Sequence, residues 1–441
     1  MSTLDRNWPG HRELWRIAAP MILTNISIPL LGLVDTAVLG HLPDPAYLGA
    51  VAVGAMVFSF VFWGFGFLRM GTTGLTAQAF GREDTARVAR LLPQALLLAL
   101  ACAALMLLLQ RPVIDLALGV TEATAAVEEG ARTYFLIRVW GAPFTLATHA
   151  LVGWFLGVQN ARAPMAMLLI ANGVNVVLDL VFVMGLGWGV AGVAWASVIG
   201  EALAVIVGLL LAWRTGRVRS VAWGRVLDLG ESLTMLRLNR AIALRTFAMI
   251  LVFSMIPWWG ARLGENILAA NAVLMNLQHF LSYALDGFAH AAEAFVGRAV
   301  GAGRRAALRR AVRRTGLWTI GVAVVFCVAY AVGGAAIVRG LTDIESVRAT
   351  ALTYLPWLVV LPLVSAWCFW LDGVFIGATW GREMMIAMAA SAFGVFLPAW
   401  WLTQGLGNHG LWLSFTLFMA ARGLTMGGYW LRRSRTVLPA T

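Results

Sequence analysis

Acidic side chains stand inside long apolar stretches at Asp35, Asp179, Glu201, Asp286, Glu293 and Asp372. An acid in hydrocarbon costs several kcal/mol, so by default it marks an ion, proton or substrate path. Around Asp179 the run is Asn172-Gly-Val-Asn175-Val-Val-Leu-Asp179. Steps of three and four residues place both amides and the carboxylate on one helical face. Two amides and a carboxylate facing inward suit a proton or cation site; the same residues also serve as a polar seam between helices. Asp286, His290 and Glu293 run along one face of a later stretch, and Asp372 stands on another. These are candidates for ion or substrate coupling, with pairing to a basic group such as Arg245 or Arg422 as the alternative. Glu201 sits alone among the acids and reads as structural. His290 reads as a hydrogen-bonded partner rather than a metal ligand. Cys102, Cys327 and Cys368 lie in apolar stretches without metal-ligand spacing and read as small hydrophobes, so neither a metal site nor a cofactor is expected.

The elements that must position these groups follow from composition. Of 441 residues, 60% are hydrophobic and 12% charged. Soluble domains carry roughly 25% charged residues, and disorder needs low hydrophobicity with high charge, so both classes are excluded. Apolar runs long enough to cross a bilayer as helices fall at about 17–40, 48–80, 91–110, 131–158, 163–186 and 190–213. After a polar stretch they resume at about 241–262, 268–297, 315–338, 350–378, 384–403 and 409–431. The expectation is an all-α polytopic membrane protein of twelve transmembrane helices. The first run begins after Arg16 and lacks an A-x-A cleavage site, so it reads as a span rather than a leader.

Arginine asymmetry sets the orientation. The side of the termini holds Arg82, Arg87, Arg90, Arg162, the group from Arg214 to Arg240 and the group from Arg298 to Arg314. The opposite loops are acidic, with Asp44, Asp115, Glu128, Glu129 and Glu265. Both termini are therefore expected in the cytoplasm. The net charge of +12 follows from topology and does not point to nucleic acid.

The chain also repeats itself. A constant shift of 220 aligns Gly40 with Gly260, Gly81 with Gly301, Arg90 with Arg310, Gly153 with Gly373, Gly157 with Gly377 and Gly185-Leu-Gly187 with Gly405-Leu-Gly407. Each copy holds six helices, an even number, so the copies share one orientation. Such parallel repeats are related by a pseudo-two-fold axis along the membrane normal, with a site between the halves. The organisation expected is a cytoplasmic N-terminus at 1–16, an N-lobe at 17–213, a cytoplasmic linker at 214–240, a C-lobe at 241–431 and a cytoplasmic tail at 432–441. The lobes differ in chemistry, because Asp35 and Asp179 align with Met255 and Ala399. Pro20 and Pro29 interrupt helix 1 on the approach to Asp35, and a lost helical hydrogen bond makes Pro20 a candidate bend. Arg69, Arg138 and Arg245 lie within a few turns of an interface and are expected to snorkel; Arg422 is deeper.

The runs Ala-Pro20-Met, Val-Asp35-Thr, Gln-Ala-Phe-Gly81-Arg-Glu-Asp84 and Asn172-x-x-Asn175-x-x-x-Asp179 resemble the multidrug and toxic compound extrusion (MATE) family. Three more are similar to its DNA-damage-inducible protein F branch: Phe-Leu-Arg69-Met-Gly-Thr-Thr-Gly, Ala-Leu-Asp286-Gly-Phe-Ala-His-Ala-Ala-Glu293 and Trp-Leu-Asp372-Gly-Val-Phe-Ile-Gly-Ala-Thr. The resemblance covers about residues 12 to 433. It implies a V-shaped fold of two six-helix lobes and export of organic, often cationic, compounds in exchange for H⁺ or Na⁺. It places a proton-responsive site on Asp35, Asn175 and Asp179, with Asn172 beside them and Pro20 as the bending proline. Sodium-coupled relatives use a helix 7 glutamate with a helix 10 aspartate. Asp372 is retained here, but the helix 7 run at about 241–262 has no acid before Glu265, which lies past its outer end, and this favours protons.

The function expected is antiport: multidrug export driven by protons through alternating access, in the bacterial cytoplasmic membrane, by a monomer whose partners are small organic substrates, a coupling cation and the bilayer. A flippase for lipid-linked or amphipathic lipids on the same fold is the alternative, and a sodium-coupled exporter a further one. A membrane enzyme of the prenyl-transfer kind needs clustered D-x-x-x-D metal ligands; none occurs, so no enzyme is expected.

Overall fold

The computed structural model describes residues 8–39, 46–119, 123–218 and 228–434, together with 221, 224 and 226. These form twelve long helical spans. The first six are α1 (His11–Leu39), α2 (Ala46–Gly81), α3 (Thr85–Leu118), α4 (Ala125–Gly157), α5 (Arg162–Gly185) and α6 (Gly189–Arg214). The second six are α7 (Leu229–Leu263), α8 (Glu265–Gly301), α9 (Arg305–Leu341), α10 (Glu345–Gly377), α11 (Gly381–Leu402) and α12 (Asn408–Arg433). The expected tails lie partly outside the described residues, and α7 starts at Leu229, inside the stretch expected to be linker.

Nine of the twelve are, among the described residues, long and apolar enough to cross a bilayer. The others are α1, α8 and α12. In α8 and α12 the polar residues Asn271, Gln278, His290, Glu293, Asn408 and Arg422 are buried against protein, so these helices need less apolar surface. Several helices outrun the membrane. The 37 residues of α9 extend about 55 Å, against a hydrocarbon core of about 30 Å. Arg305, Arg309, Arg310, Arg313 and Arg314 fill its first turns, the kind of charged end that belongs outside hydrocarbon.

Local chemistry sets the ends and the interruptions. Asp84 caps α3 by accepting the Arg87 N–H at 2.9 Å. Arg432 and Arg433 occupy the last turn of α12, where cations complement the helix dipole. Two helices widen into π turns, α5 at Leu180–Gly185 and α11 at Ala392–Phe396. The first begins directly after Asp179, and such widenings are common at functional sites.

Packing divides the chain into two compact units. One comprises residues 23–80 and 84–235; the other comprises 1–22, 81–83 and 236–441. In the first, Phe58, Phe62, Phe135, Val139 and Leu146 build a core shared by α2, α3 and α4. In the second, Leu281, Leu285, Ala323 and Ala366 join α8, α9 and α10. The first turns of α1 belong to this second unit: Trp15 meets Phe288 and Trp318 edge-on, and Arg310 Nε donates to the Trp8 carbonyl at 3.2 Å.

The internal repeat is visible atom by atom. A Cβ on Gly153 of α4 would collide with the Arg69 carbonyl oxygen of α2, and one on Gly157 would sit 3.0 Å from the Ala77 nitrogen. In α10, a Cβ on Gly373 would collide with the Ala289 carbonyl of α8, and one on Gly377 would sit 2.9 Å from the Gly297 nitrogen. Every residue in the second set is the first shifted by 220. The turns repeat too: Gln159 and Thr379 both adopt positive φ (63° and 58°), each just past a helix end.

Candidate functional site

The first unit brings the α5 polar face onto α6 and α1. Asn175 and Asp179 are buried, one turn apart. The neighbours fix the Asn175 amide orientation. Its Nδ2 donates to Asp179 Oδ2 at 2.9 Å, and its Oδ1 accepts from the Ser197 backbone N–H and hydroxyl, both at 3.1 Å. One amide thus ties a carboxylate to a hydroxyl on α6. Asn172 turns toward α1, its Nδ2 donating to Ser27 Oγ at 3.4 Å, while Ser27 Oγ donates to the Thr24 carbonyl at 2.8 Å.

This contact sets the register of α1 against α5. Helices that alternate direction at each crossing leave these two, the first and fifth, running the same way. Asp35 lies eight residues beyond Ser27 and Asp179 seven beyond Asn172, advances of about 12 Å and about 11 Å. The two positions therefore fall in one layer. Asp35 sits within the helical span of α1, and its side chain lies outside those described.

Glu201, four residues after Ser197 on α6, is not alone. Arg138 of α4 grips it with both terminal nitrogens, Nη1–Oε2 at 3.0 Å and Nη2–Oε1 at 2.5 Å, and Thr145 Oγ1 donates to Oε2 at 2.5 Å. The guanidinium lies 4.2 Å from the Phe58 ring centroid. The expected snorkelling of Arg138 is corrected: it is buried, because a bidentate carboxylate and an aromatic face replace water.

The second unit holds a different cluster. Asp372 Oδ2 of α10 accepts from Nη2 of Arg245 on α7 and from Nη2 of Arg422 on α12, the latter at 2.8 Å. Arg245 and Arg422 are 3% and 1% exposed, so Arg245 does not snorkel either; its partner holds it inside. Asp286 of α8 lies near enough to act electrostatically on both arginines. Two buried cations thus share one buried anion, with the half-buried Asp286 close by. Further along α8, His290 Nδ1 stands 3.3 Å from Glu293 Oε1. Among the described residues no group of three His, Cys, Asp or Glu is placed to hold a metal ion.

The sequence reading missed Ser27 and Ser197. A signal for Ser197 exists, since it lies beside the small-residue stripe Gly192-Ala196-Gly200. A Cβ at Gly200 would sit 2.8 Å from the Ala171 carbonyl, so α5 and α6 approach closely there. Small residues permit such approach, and hydroxyls beside them reach across.

Comparison with known proteins agrees with this architecture. The MatE family model matches the chain twice, at residues 20–181 and 241–402, once in each repeat. DNA damage-inducible protein F of Escherichia coli strain K12 is 48% identical over 431 residues, covering 96% of this chain and 93% of that protein. A probable multidrug resistance protein NorM of Deinococcus radiodurans is 28% identical, covering 96% of each. A crystal structure of MATE in the bent conformation superposes with a TM-score of 0.87 over 97% of this chain and 96% of that one, at 18% identity, a likeness of fold. The chain belongs to the multidrug and toxic compound extrusion family of membrane transporters.

Proposed function

We propose that this transporter exports organic cationic or amphipathic compounds in exchange for protons, and that Asp179 and Asp35 are its coupling acids. The observation that carries the reading is the Asp179–Asn175–Ser197 network; the Asn172–Ser27 contact supports Asp35 as its neighbour in depth. A carboxylate bonded through an amide to a hydroxyl has one titratable member. Protonation weakens the hydrogen bond that the carboxylate accepts from Asn175 without requiring new ligands. The proton is loaded from the acidic outer side and released when a cationic substrate binds; differential binding re-weights pre-existing states. In this reading the lobes at 17–213 and 241–431 alternate access about the linker at 214–240. Both termini lie in the cytoplasm of a bacterial cell, and the working unit is a monomer in the inner membrane.

Pro20 supports helix 1 as a moving part. It lacks the N–H that would bond back to Arg16, and the packing allegiance of α1 changes at Ile22–Leu23, just past it. Sodium is disfavoured by the surroundings of Asp372. A sodium ligand there would compete with two guanidinium groups for the same carboxylate. The flippase reading gains little, because Asp372 and Asp286 lie close to Arg245 and Arg422 and offset the positive charge of that buried pair. The test is efflux of a fluorescent cation from proteoliposomes, with pH and sodium gradients imposed separately. Transport driven by sodium alone and indifferent to the pH gradient would overturn the proposal.

A further inference from the structure

Two cavities in the second unit meet at Trp430. The larger, about 760 Å³, is an apolar groove between α10 and α12, lined by Trp367, Leu371, Gly423, Gly427 and Trp430 among others. The smaller, about 260 Å³, lies at the arginine-rich end, where Arg305 and Arg309 of α9 face Trp430 and Ser434 of α12. We propose that this composite site binds an anionic phospholipid, one acyl chain in the α10–α12 groove and the phosphate on Arg305 and Arg309.

Length, charge and shape agree. The groove runs from Leu363 to Leu371 on α10 and from Ala420 to Leu431 on α12, about 12 and 17 Å of helix. One leaflet of hydrocarbon is about 15 Å thick, so the groove matches the reach of a single chain. It opens sideways, with Leu363 and Leu424 exposed at its rim. Its wall is held open: Trp370 Nε1 donates to Thr315 Oγ1 of α9 at 3.0 Å, and Gly427 has no side chain to fill the space.

At the polar end, Arg305 and Arg309 stand one helical turn apart at the N-terminus of α9, and no ion pair engages either among the described residues. The Arg305 Nε is buried without a hydrogen-bond partner. Like charges at this spacing repel, and cations at a helix N-terminus oppose its dipole. The first N–H groups of α9 also lack a side-chain cap. One anion answers all three. Basic pockets between transmembrane helices recognise anionic headgroups in this way. The apolar groove below the arginines selects a lipid rather than free phosphate.

The test uses the purified transporter in detergent, with native mass spectrometry and thermal unfolding in the presence of phosphatidylglycerol, phosphatidylcholine or inorganic phosphate. Wild-type protein should retain phosphatidylglycerol over phosphatidylcholine and unfold at higher temperature with it. Arg305→Gln with Arg309→Gln should weaken that binding about thirty-fold, the loss expected for two arginines at a charged surface. Gly427→Phe, which fills the groove and leaves both arginines, should displace the lipid as well. A Cβ at Gly427 meets only Leu371 at 4.0 Å, so this variant keeps its fold. Equal retention of phosphatidylcholine and phosphatidylglycerol would overturn the proposal. So would stabilisation by inorganic phosphate equal to that by phosphatidylglycerol, or unchanged lipid binding in Gly427→Phe.

Discussion

Asp179→Asn removes one titratable group and leaves the surrounding bonds nearly intact. The Asn175 Nδ2 donates to Asp179 Oδ2 at 2.9 Å, and an asparagine carbonyl accepts the same bond. The change from a charge-assisted to a neutral hydrogen bond costs about 1 kcal/mol. Asp179→Ala, by contrast, orphans a buried amide at about 1–3 kcal/mol. The asparagine variant should therefore fold, insert and unfold within a few degrees of wild type. Its coupling should fail. A pH gradient of one unit supplies about 1.4 kcal/mol per proton, enough to hold a tenfold substrate gradient in one-for-one exchange. In proteoliposomes with that gradient, wild type should sustain a ratio approaching ten and Asp179→Asn a ratio near one. Exchange of labelled for unlabelled substrate at equal pH should persist in the variant, since that half-cycle needs no net proton movement. An Asp179→Asn protein that still sustains the tenfold ratio would refute the assignment and turn attention to Asp35 alone.

Asp35→Asn should abolish pH-driven efflux at normal expression while Asp35→Glu keeps part of it, measured in the same vesicles. Asp372→Asn removes the charge that two buried arginines share, and breaking such a group costs about 3–5 kcal/mol; the detergent-solubilised variant should unfold well below wild type. Cysteines replacing the exposed Glu129 and Arg304 should label from opposite sides of the membrane with an impermeant maleimide, Glu129→Cys from outside. Reversal would undo the proposed orientation.

The helices were legible in the sequence because hydrocarbon demands an unbroken apolar run, yet their lengths were not. Hydropathy marks α9 from about residue 315, whereas the helix starts at Arg305, since an arginine-rich turn beyond the membrane carries no apolar signal. The α5 face was legible because Asn172, Asn175 and Asp179 are neighbours at helical spacing. The Arg138–Glu201 pair was not, and the Arg245–Asp372–Arg422 group was legible only as an alternative pairing. Their members lie 63, 127 and 50 residues apart, on helices that only the tertiary fold brings together. Asp372 meets both Arg245 and Arg422, the two arginines its sequence offers as alternatives to ion coupling; that both use one oxygen is set by packing alone.

The matched glycine contacts bear on how such a protein arises and changes. Gly153 against Arg69 and Gly373 against Ala289 are one joint copied, as duplication of an ancestral six-helix gene would leave it. A joint with no room for a methyl group cannot drift, so both copies kept it. The polar groups obeyed no such rule. Asn175, Asp179 and Ser197 correspond to Val395, Ala399 and Leu417, while Arg245, Asp372 and Arg422 correspond to Asn25, Val152 and Ala202. The two halves thus share a frame of close-packed glycine joints and differ in their polar interiors. New specificities in descendants of this chain are accordingly expected among the interior polar positions of either half, with the glycine joints unchanged.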